Sequence, residues 1–216
     1  MVNKKYIFWD FNGTILDDVH LNYQIFNEML TEYKLKPISL EEYLEYFGFP
    51  VIDFYKRYFD LDKIPFDELS KLFIGKYQAR SLKENLSPGI ADALFYFQSL
   101  GVQNVLLSAT EQSRLNEQVE HFKIGHYFID VLGTENIRGE SKLHVAVNYL
   151  KKQKINPKDV VFIGDTLHDA EVAQAVGCDV LIYTKGHQHK KRLKKVPTID
   201  HFYILSQYIF KKDDKK

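Results

Sequence analysis

Apolar positions along this chain change rhythm at two places, and those changes divide it. Ile7, Phe8 and Trp9 form an unbroken apolar run closed by a carboxylate, Asp10. A run so short, apolar at consecutive positions, predicts a strand buried on both faces. From residue 19 the period lengthens. Asn22, Ile25, Phe26, Met29, Leu30 and Tyr33 fall on one helical stripe. Ser39 and Glu42 have the spacing of a capping box and open a second helix. Pro50 heads a third at 51–59. After Pro65 a long helix places Leu69, Leu72, Phe73, Lys76 and Tyr77 on a common face, the lysine reaching past it to water. Residues 15–86 carry no strand pattern and predict an all-helical block.

Ser87-Pro88-Gly89 ends that block. Beyond it strands and helices alternate. A helix at 90–100 stops at Gly101, and a strand at 104–107 ends at Ser108. A helix follows with Leu115, Val119 and Phe122 on one face, then a strand at 127–132. The next helix, 142–152, carries Leu143, Val147 and Leu150, and the next strand, 160–163, ends in Gly164-Asp165. A helix stopped by Gly177, a strand at 179–183 and a terminal helix at 202–210 complete the pattern. This alternation predicts an α/β fold, a Rossmann-like parallel sheet with helices on both faces. The all-helical segment is inserted after the first strand as a cap. The expected division is an α/β core of 1–14 and 88–216 with a cap of 15–87. Parallel sheets bind ligands beyond the carboxyl ends of their strands, which is where Asp10, Ser108 and Asp165 are expected.

Composition narrows the function classes. The formal net charge of the 216 residues is zero, which removes the usual reason to expect a nucleic acid or an anionic membrane as partner. The basic stretch Lys190-Lys191-Arg192-Leu193-Lys194-Lys195 reads as a solvated face, and the preceding Gly186-His187-Gln188-His189 is not spaced like a metal site. Its place after the last predicted strand brings that loop toward the strand ends. The apolar run before Asp10 is too short for a signal-peptide core, and no segment reaches the ~20 apolar residues of a membrane span. The single cysteine, Cys178, excludes an internal disulfide and reads as a small buried residue in a reducing compartment. A cytoplasmic protein is expected; oligomeric state is not legible.

Four pieces stand in order: Asp10-Phe11-Asn12-Gly13-Thr14, then Leu106-Leu107-Ser108, then Lys142, then Gly164-Asp165-Thr166-Leu167-His168-Asp169. Together they resemble the haloacid dehalogenase-like hydrolase superfamily, in its phosphatase branch with a helical cap similar to phosphoglycolate phosphatases. The resemblance spans the whole chain, with the helical block where that family carries its cap. It implies a phosphohydrolase acting on a small phosphorylated metabolite through an aspartyl-phosphate on Asp10. It implies Mg²⁺ held by Asp10, Asp165 and the backbone carbonyl of Asn12, with Asp169 assisting through water or by holding Lys142. It implies phosphate contacts from Gly13, Thr14, Ser108, Ala109 and Lys142. Halide displacement is disfavoured, because Asp165 and Asp169 indicate a metal. Apart from the resemblance, Asp10 and Ser108 read as turn residues, Lys142 as a solvated helix residue and Asp169 as a helix-start carboxylate.

Asn12 departs from the family pattern, which has a second aspartate there as general acid and base. An amide cannot move that proton, and such catalysis contributes about 10²–10⁴-fold. Three readings stay open. Another group relays the proton, His168 first and Asp17 or Asp18 after it; the leaving group needs little protonation; or the chain is a catalytically weak or inactive binding or regulatory protein on the same fold. The first two predict slow turnover of alkyl phosphates and faster turnover of activated aryl phosphates. In the cap, Phe47-Gly48-Phe49-Pro50-Val51 is an apolar loop with one flexible joint that can close over the site, and Phe49, Lys56, Arg57 and Arg80 are candidate substrate contacts.

Overall fold

In the computed structural model, which describes residues 4–135 and 142–209, six parallel strands form one sheet in the order β5-β4-β1-β6-β7-β8. These are β1 (Tyr6–Trp9), β4 (Gln103–Glu111), β5 (Asp130–Thr134), β6 (Val160–Gly164), β7 (Asp179–Tyr183) and β8 (Thr198–Ile199). The consecutive apolar residues of β1 are explained by their two-sided burial. Ile7 and Trp9 face one layer with Ile90, Leu94, Phe97 and Leu115, while Phe8 faces the other with Ala146, Leu150 and Val172. The first layer is built from α5 (Ile90–Ser99), α6 (Gln112–His121) and α9 (Leu205–Ile209), the second from α7 (Leu143–Gln153) and α8 (Leu167–Val176).

The chain leaves this sheet after β1 through a two-stranded ribbon, β2 (Leu16–Asp17) antiparallel to β3 (Asn85–Leu86). The sequence pattern predicts no strand here, because two residues carry no periodicity. The ribbon brackets a helical insert of α1 (Val19–Glu32), α2 (Leu40–Tyr46), α3 (Val51–Tyr55) and α4 (Phe66–Ser81). The insert has its own core, in which Ile25, Phe26, Met29, Tyr43, Phe54 and Leu69 are buried. Ser39 caps α2 by accepting from the Glu42 amide at 3.1 Å. The third predicted helix is shorter than its pattern suggests, ending at Tyr55.

Two strands differ in position from their predicted spans. The segment 125–127 is a turn of 3₁₀ helix, and β5 begins only at Asp130. β4 runs on through Ser108 to Glu111, with its pairing to β5 interrupted between Leu107 and Glu111. Three residues of β4 stand opposite one of β5 across that bulge, so Ser108, Ala109 and Thr110 are lifted out of the ladder. The tail is a 3₁₀ turn over Phe202–Ile204 followed by α9, and Phe210, the last residue of the predicted helix, lies outside the described residues. Among the described residues no helix is long and apolar enough to cross a membrane.

One polar pair is buried beneath the sheet edge. The Trp9 indole N–H donates to Asn104 Oδ1 at 2.9 Å, and the Asn104 amide donates to the carbonyl of Leu94 at 3.1 Å. Asn104→Ala strands both partners, and a buried polar group left unpaired costs about 1–3 kcal/mol. A fall in melting temperature of roughly 2–12 °C is expected in thermal denaturation; an unchanged melting temperature contradicts this role.

Candidate active site

β1 ends at the centre of the sheet and delivers Asp10 to its carboxyl edge. The Asp10 amide donates to the carbonyl of Ile163 at 2.8 Å, which extends the β1–β6 pairing by one residue and fixes the backbone there. Lys142 precedes α7 and is 2% exposed. Its ammonium donates to Asp10 Oδ1, to Asp169 Oδ1 at 2.8 Å and to the Leu107 carbonyl at 3.2 Å. Burial alone lowers a lysine pKa, but Asp10 and Asp169 more than offset it and raise that of Lys142. Lys142 is therefore a permanently charged group, not a solvated helix residue.

Asp169 serves two ends at once. Its Oδ2 accepts from the amides of Asp165 and Thr166 at 3.1 and 2.9 Å and from Thr166 Oγ1 at 2.8 Å, capping the start of α8. Its Oδ1 holds Lys142. Burial opposes its ionisation, but Lys142 and Thr166 win and lower its pKa. Asp165 is placed by β6, and its Oδ2 accepts from the His187 amide at 2.6 Å. Glycines make this crowding sterically feasible. A Cβ on Gly13 would lie 2.4 Å from Asp165 Oδ2, one on Gly164 2.3 Å from Asp169 Cγ, and one on Gly186 2.2 Å from Asp165 Cβ. The close approach at Gly13 is thus to Asp165 and to the His187 ring, and its φ of +69° separately disfavours a side chain.

Carboxylate oxygens of Asp10, Asp165 and Asp169 lie within 4.8 Å of one another, all buried. Burial raises Asp10 to about 6, with Asp169 adding to the rise and Lys142 opposing it. Burial, with Asp169 and Asp10 adding to it and His187 opposing, raises Asp165 well above the usual carboxylate range. Counting Asp18, four buried carboxyl groups face two cations, Lys142 and His187, so that full ionisation would leave two negative charges unmatched, and Asp10 and Asp165 are the two pushed toward protonation. Hard oxygen donors with that deficit fit a divalent cation. Asp10 and Asp165 have oxygens to offer it; those of Asp169 are committed to Lys142 and the α8 start.

The amide of Asn12 is held from three directions. Its Nδ2 donates to Asp18 Oδ2 at 2.8 Å and to the Tyr77 hydroxyl at 2.7 Å, and its Oδ1 accepts from Thr110 Oγ1 at 2.8 Å. Asp18 is fully buried. It also accepts from the Gly13 amide at 2.8 Å, the Tyr77 hydroxyl at 2.6 Å and Asn22 Nδ2 at 2.8 Å, and pairs with His187 Nε2 at 3.1 Å. Burial works against its charge, yet His187, Tyr77 and Asn12 outweigh that and hold its pKa below the ordinary value. His187, whose Nδ1 meets the Tyr43 hydroxyl at 3.1 Å, is raised to about 9: burial lowers it, but Asp18 and the nearby Asp165 and Asp10 outweigh that. Asp18 and His187 thus form a buried ion pair that joins the insert to the loop after β7. Sequence reasoning assigned Asp18 only a minor role and gave none to His187. The available signal was a Gly-His-Gln run directly after the strand beside β6.

Other expected residues separate. Asp17 is exposed on β2. His168 lines the cavity and stacks on Phe49 with ring centroids 4.7 Å apart, and burial lowers its pKa. Thr14 is buried with no partner for its hydroxyl and lies apart from the cavity lining. Ser108 and Ala109 line the cavity, and Ser108 Oγ accepts from the Thr110 amide at 3.1 Å across the β4 bulge. Of the four cap residues proposed as substrate contacts, only Phe49 faces the cavity. Lys56 pairs with Asp53, Arg57 lies over the Tyr46 ring and Arg80 binds Glu28. Arg192, expected on a solvated face, instead donates to the Phe47 carbonyl, as does Gln188, and together they pin the insert over the site.

The cavity beside Asp10 opens to solvent and spans about 1050 Å³ with its open mouth included. Its floor is Asp10, Ser108, Lys142 and Asp165, and its walls come from the insert and from α6.

Residues 7–183 match the sequence profile of a family described as haloacid dehalogenase-like hydrolase. Phosphoglycolate phosphatase 1 of Pseudomonas aeruginosa is 22% identical over 204 residues, covering 90% of this chain and 75% of the relative. The fold is similar to that of a predicted phosphatase from Clostridium acetobutylicum, with a TM-score of 0.80 at 18% identity over 96% of this chain and 98% of that one. It is also similar to a predicted phosphoglycolate phosphatase from Haemophilus somnus, with a TM-score of 0.77 at 20% identity over 96% and 99% of the two chains.

Replacing the amide at position 12 by a carboxylate removes two donors and sets like charges beside each other. Asn12→Asp is expected to cost about 2 kcal/mol or more, seen as a fall in melting temperature of roughly 4–8 °C. Adding Asp18→Asn restores a donor between the two positions, so the double variant is expected to melt above the sum of the single effects. An Asn12→Asp variant as stable as the parent contradicts this reading.

Proposed function

The chain belongs to the haloacid dehalogenase-like hydrolases, and within that family we propose that it hydrolyses a small phosphomonoester through an aspartyl-phosphate on Asp10. It is a phosphatase by kinship. The observation that carries the step is the placement of the Asp10 carboxylate on the floor of an open cavity, beside Lys142 and Ser108.

In this reading Asp10 attacks phosphorus as the bond to the ester oxygen breaks, and the departing oxygen keeps the electron pair and takes a proton from water. A water molecule then displaces phosphate from Asp10 and restores the carboxylate. Ser108 and Lys142 hold the phosphoryl oxygens and neutralise their charge, with Ala109 as a neighbouring contact, while Gly13 and Thr14, expected beside them, lie off the cavity lining. Asp169 keeps Lys142 in place. Asp10, Asp165 and the carbonyl of Asn12 would hold a Mg²⁺ ion, which would supply positive charge beside the phosphoryl group when bound. The helical insert, residues 15–87, serves as the cap that excludes water. A cytoplasmic setting fits the lone Cys178, whose thiol burial pushes up to about 12 and so keeps inert.

Position 12 bears on rate. Its amide is committed to Asp18, Tyr77 and Thr110, and Asp18, the carboxylate it touches, is held below the ordinary value and so offers no proton in its place. Loss of acid–base assistance of about 10²–10⁴-fold is expected in both halves of the reaction. The same observation favours a second reading, a phosphate-compound binding protein without turnover.

A p-nitrophenyl phosphate assay separates the two. Turnover is expected in Mg²⁺, lost in EDTA, and reduced by roughly 10³-fold or more in Asp10→Ala. Acid-quenched protein is expected to retain labelled phosphate only when Asp10 is present. Binding of phosphate with no turnover, or undiminished turnover in Asp10→Ala, overturns the proposal.

A further inference from the structure

The cavity walls describe the part of the substrate that is not phosphate. Above the floor they include Phe47 and Phe49 from the loop before α3, Val51 at the start of α3, and Phe73, Ile74 and Tyr77 from α4, with Asn22, Gln78, Ser81 and Gln118 as polar neighbours. A second cavity of about 580 Å³ adjoins through Asn22, Phe47, Val51, Phe73 and Ile74, and runs into the insert between Phe26, Tyr43, Phe54, Tyr55 and Phe66. The space leading away from Asp10 is therefore aromatic and aliphatic.

Cations are the counterpart of this observation. Among the described residues that line the first cavity, Lys142 is bound by Asp10 and Asp169, and the His187 ring by Asp18 and Tyr43. His168 lies flat on Phe49. Arg114 stands 3.8 Å from Glu111, with Glu117 on the same wall holding Gln78. An anionic group on the leaving alcohol would lose its hydration against apolar walls or meet two glutamates.

Resting on the phosphatase reading above, we propose that the alcohol released is an uncharged aryl alcohol, so that the substrate is an aryl phosphate monoester and not a phosphate bearing a carboxylate. The attack by Asp10 then breaks the bond between phosphorus and the aryl oxygen, which leaves as a phenoxide and is protonated by water. Position 12 independently points the same way. A phenol ionises near pH ~10, against about 15.7 for water, whose hydroxyl an alkyl alcohol resembles. A phenoxide leaves without a proton, so for such a substrate the amide at position 12 is no obstacle to the first half of the reaction. The phosphoglycolate named for several relatives carries a carboxylate on an alkyl oxygen and matches neither feature.

The test is kcat/KM for 4-methylphenyl phosphate, 4-carboxyphenyl phosphate and phosphoglycolate, measured on the full chain in Mg²⁺. 4-Methylphenyl phosphate is expected to exceed each of the others by roughly tenfold or more. Ile74→Arg, which places a cation on the wall, is expected to narrow the ratio of 4-methylphenyl to 4-carboxyphenyl phosphate by about tenfold. 4-Carboxyphenyl phosphate turned over as well as 4-methylphenyl phosphate overturns the assignment of an uncharged alcohol, phosphoglycolate turned over as well overturns the aryl assignment too, and either result leaves the phosphatase reading intact. Failure to turn over all three esters overturns both.

Discussion

Four buried carboxylates share the carboxyl edge of the sheet with two buried cations, and much of the local architecture exists to make that arrangement tolerable. Ionised groups removed from water are costly unless paired and hydrogen-bonded. Asp169 satisfies both demands, through Lys142 on one oxygen and the start of α8 on the other. Asp18 satisfies them through His187, Tyr77, Asn12, Asn22 and a backbone amide. Asp10 and Asp165 are the incompletely compensated pair, and they are the two whose carboxyls burial pushes upward. A functional group held short of full compensation is what a reactive or ion-binding site requires.

Position 12 follows from the same electrostatics. Asp18 is ionised and buried, so a neighbour that donates is favoured and a second carboxylate is not. The residue that departs from the family pattern is thus the one its surroundings call for. The network also ties the insert to the sheet: Tyr77 comes from α4, Tyr43 from α2, His187 from the loop after β7 and Thr110 from the β4 bulge. Cavity shape, insert position and the chemistry available at Asp10 are consequences of one hydrogen-bonded system.

Much of the fold and part of the site were legible in the sequence. β1, β6 and β7 are apolar at consecutive positions because both faces are covered, and their ends announce Asp10 and Asp165. Lys142 and Asp169 were legible only as members of an ordered set of motifs, since each alone resembles a helix-start residue. The extension of β4 past Ser108 was hidden because a bulge breaks the period of two on which strand reading depends. His187 and Asp18 were hidden for a different reason. Their role is a mutual contact across 169 positions of sequence, which leaves no local periodicity. Lys56, Arg57 and Arg80 misled in the opposite sense, for cations on a cap suggest an anionic ligand, yet these meet a carboxylate or an aromatic ring of the insert itself.

The central claim is that the buried edge carries negative charge a divalent cation is needed to offset, and thermal melting with and without Mg²⁺ tests it most directly. Binding at 100 times the dissociation constant adds about 2.7 kcal/mol, so the parent chain should melt roughly 5–11 °C higher in saturating Mg²⁺ than in EDTA. Asp165→Asn keeps an acceptor for the His187 amide but removes one charge, so it should melt above the parent in EDTA and gain little from Mg²⁺. A parent chain indifferent to Mg²⁺, or an Asp165→Asn variant that melts below it in EDTA, would contradict the account.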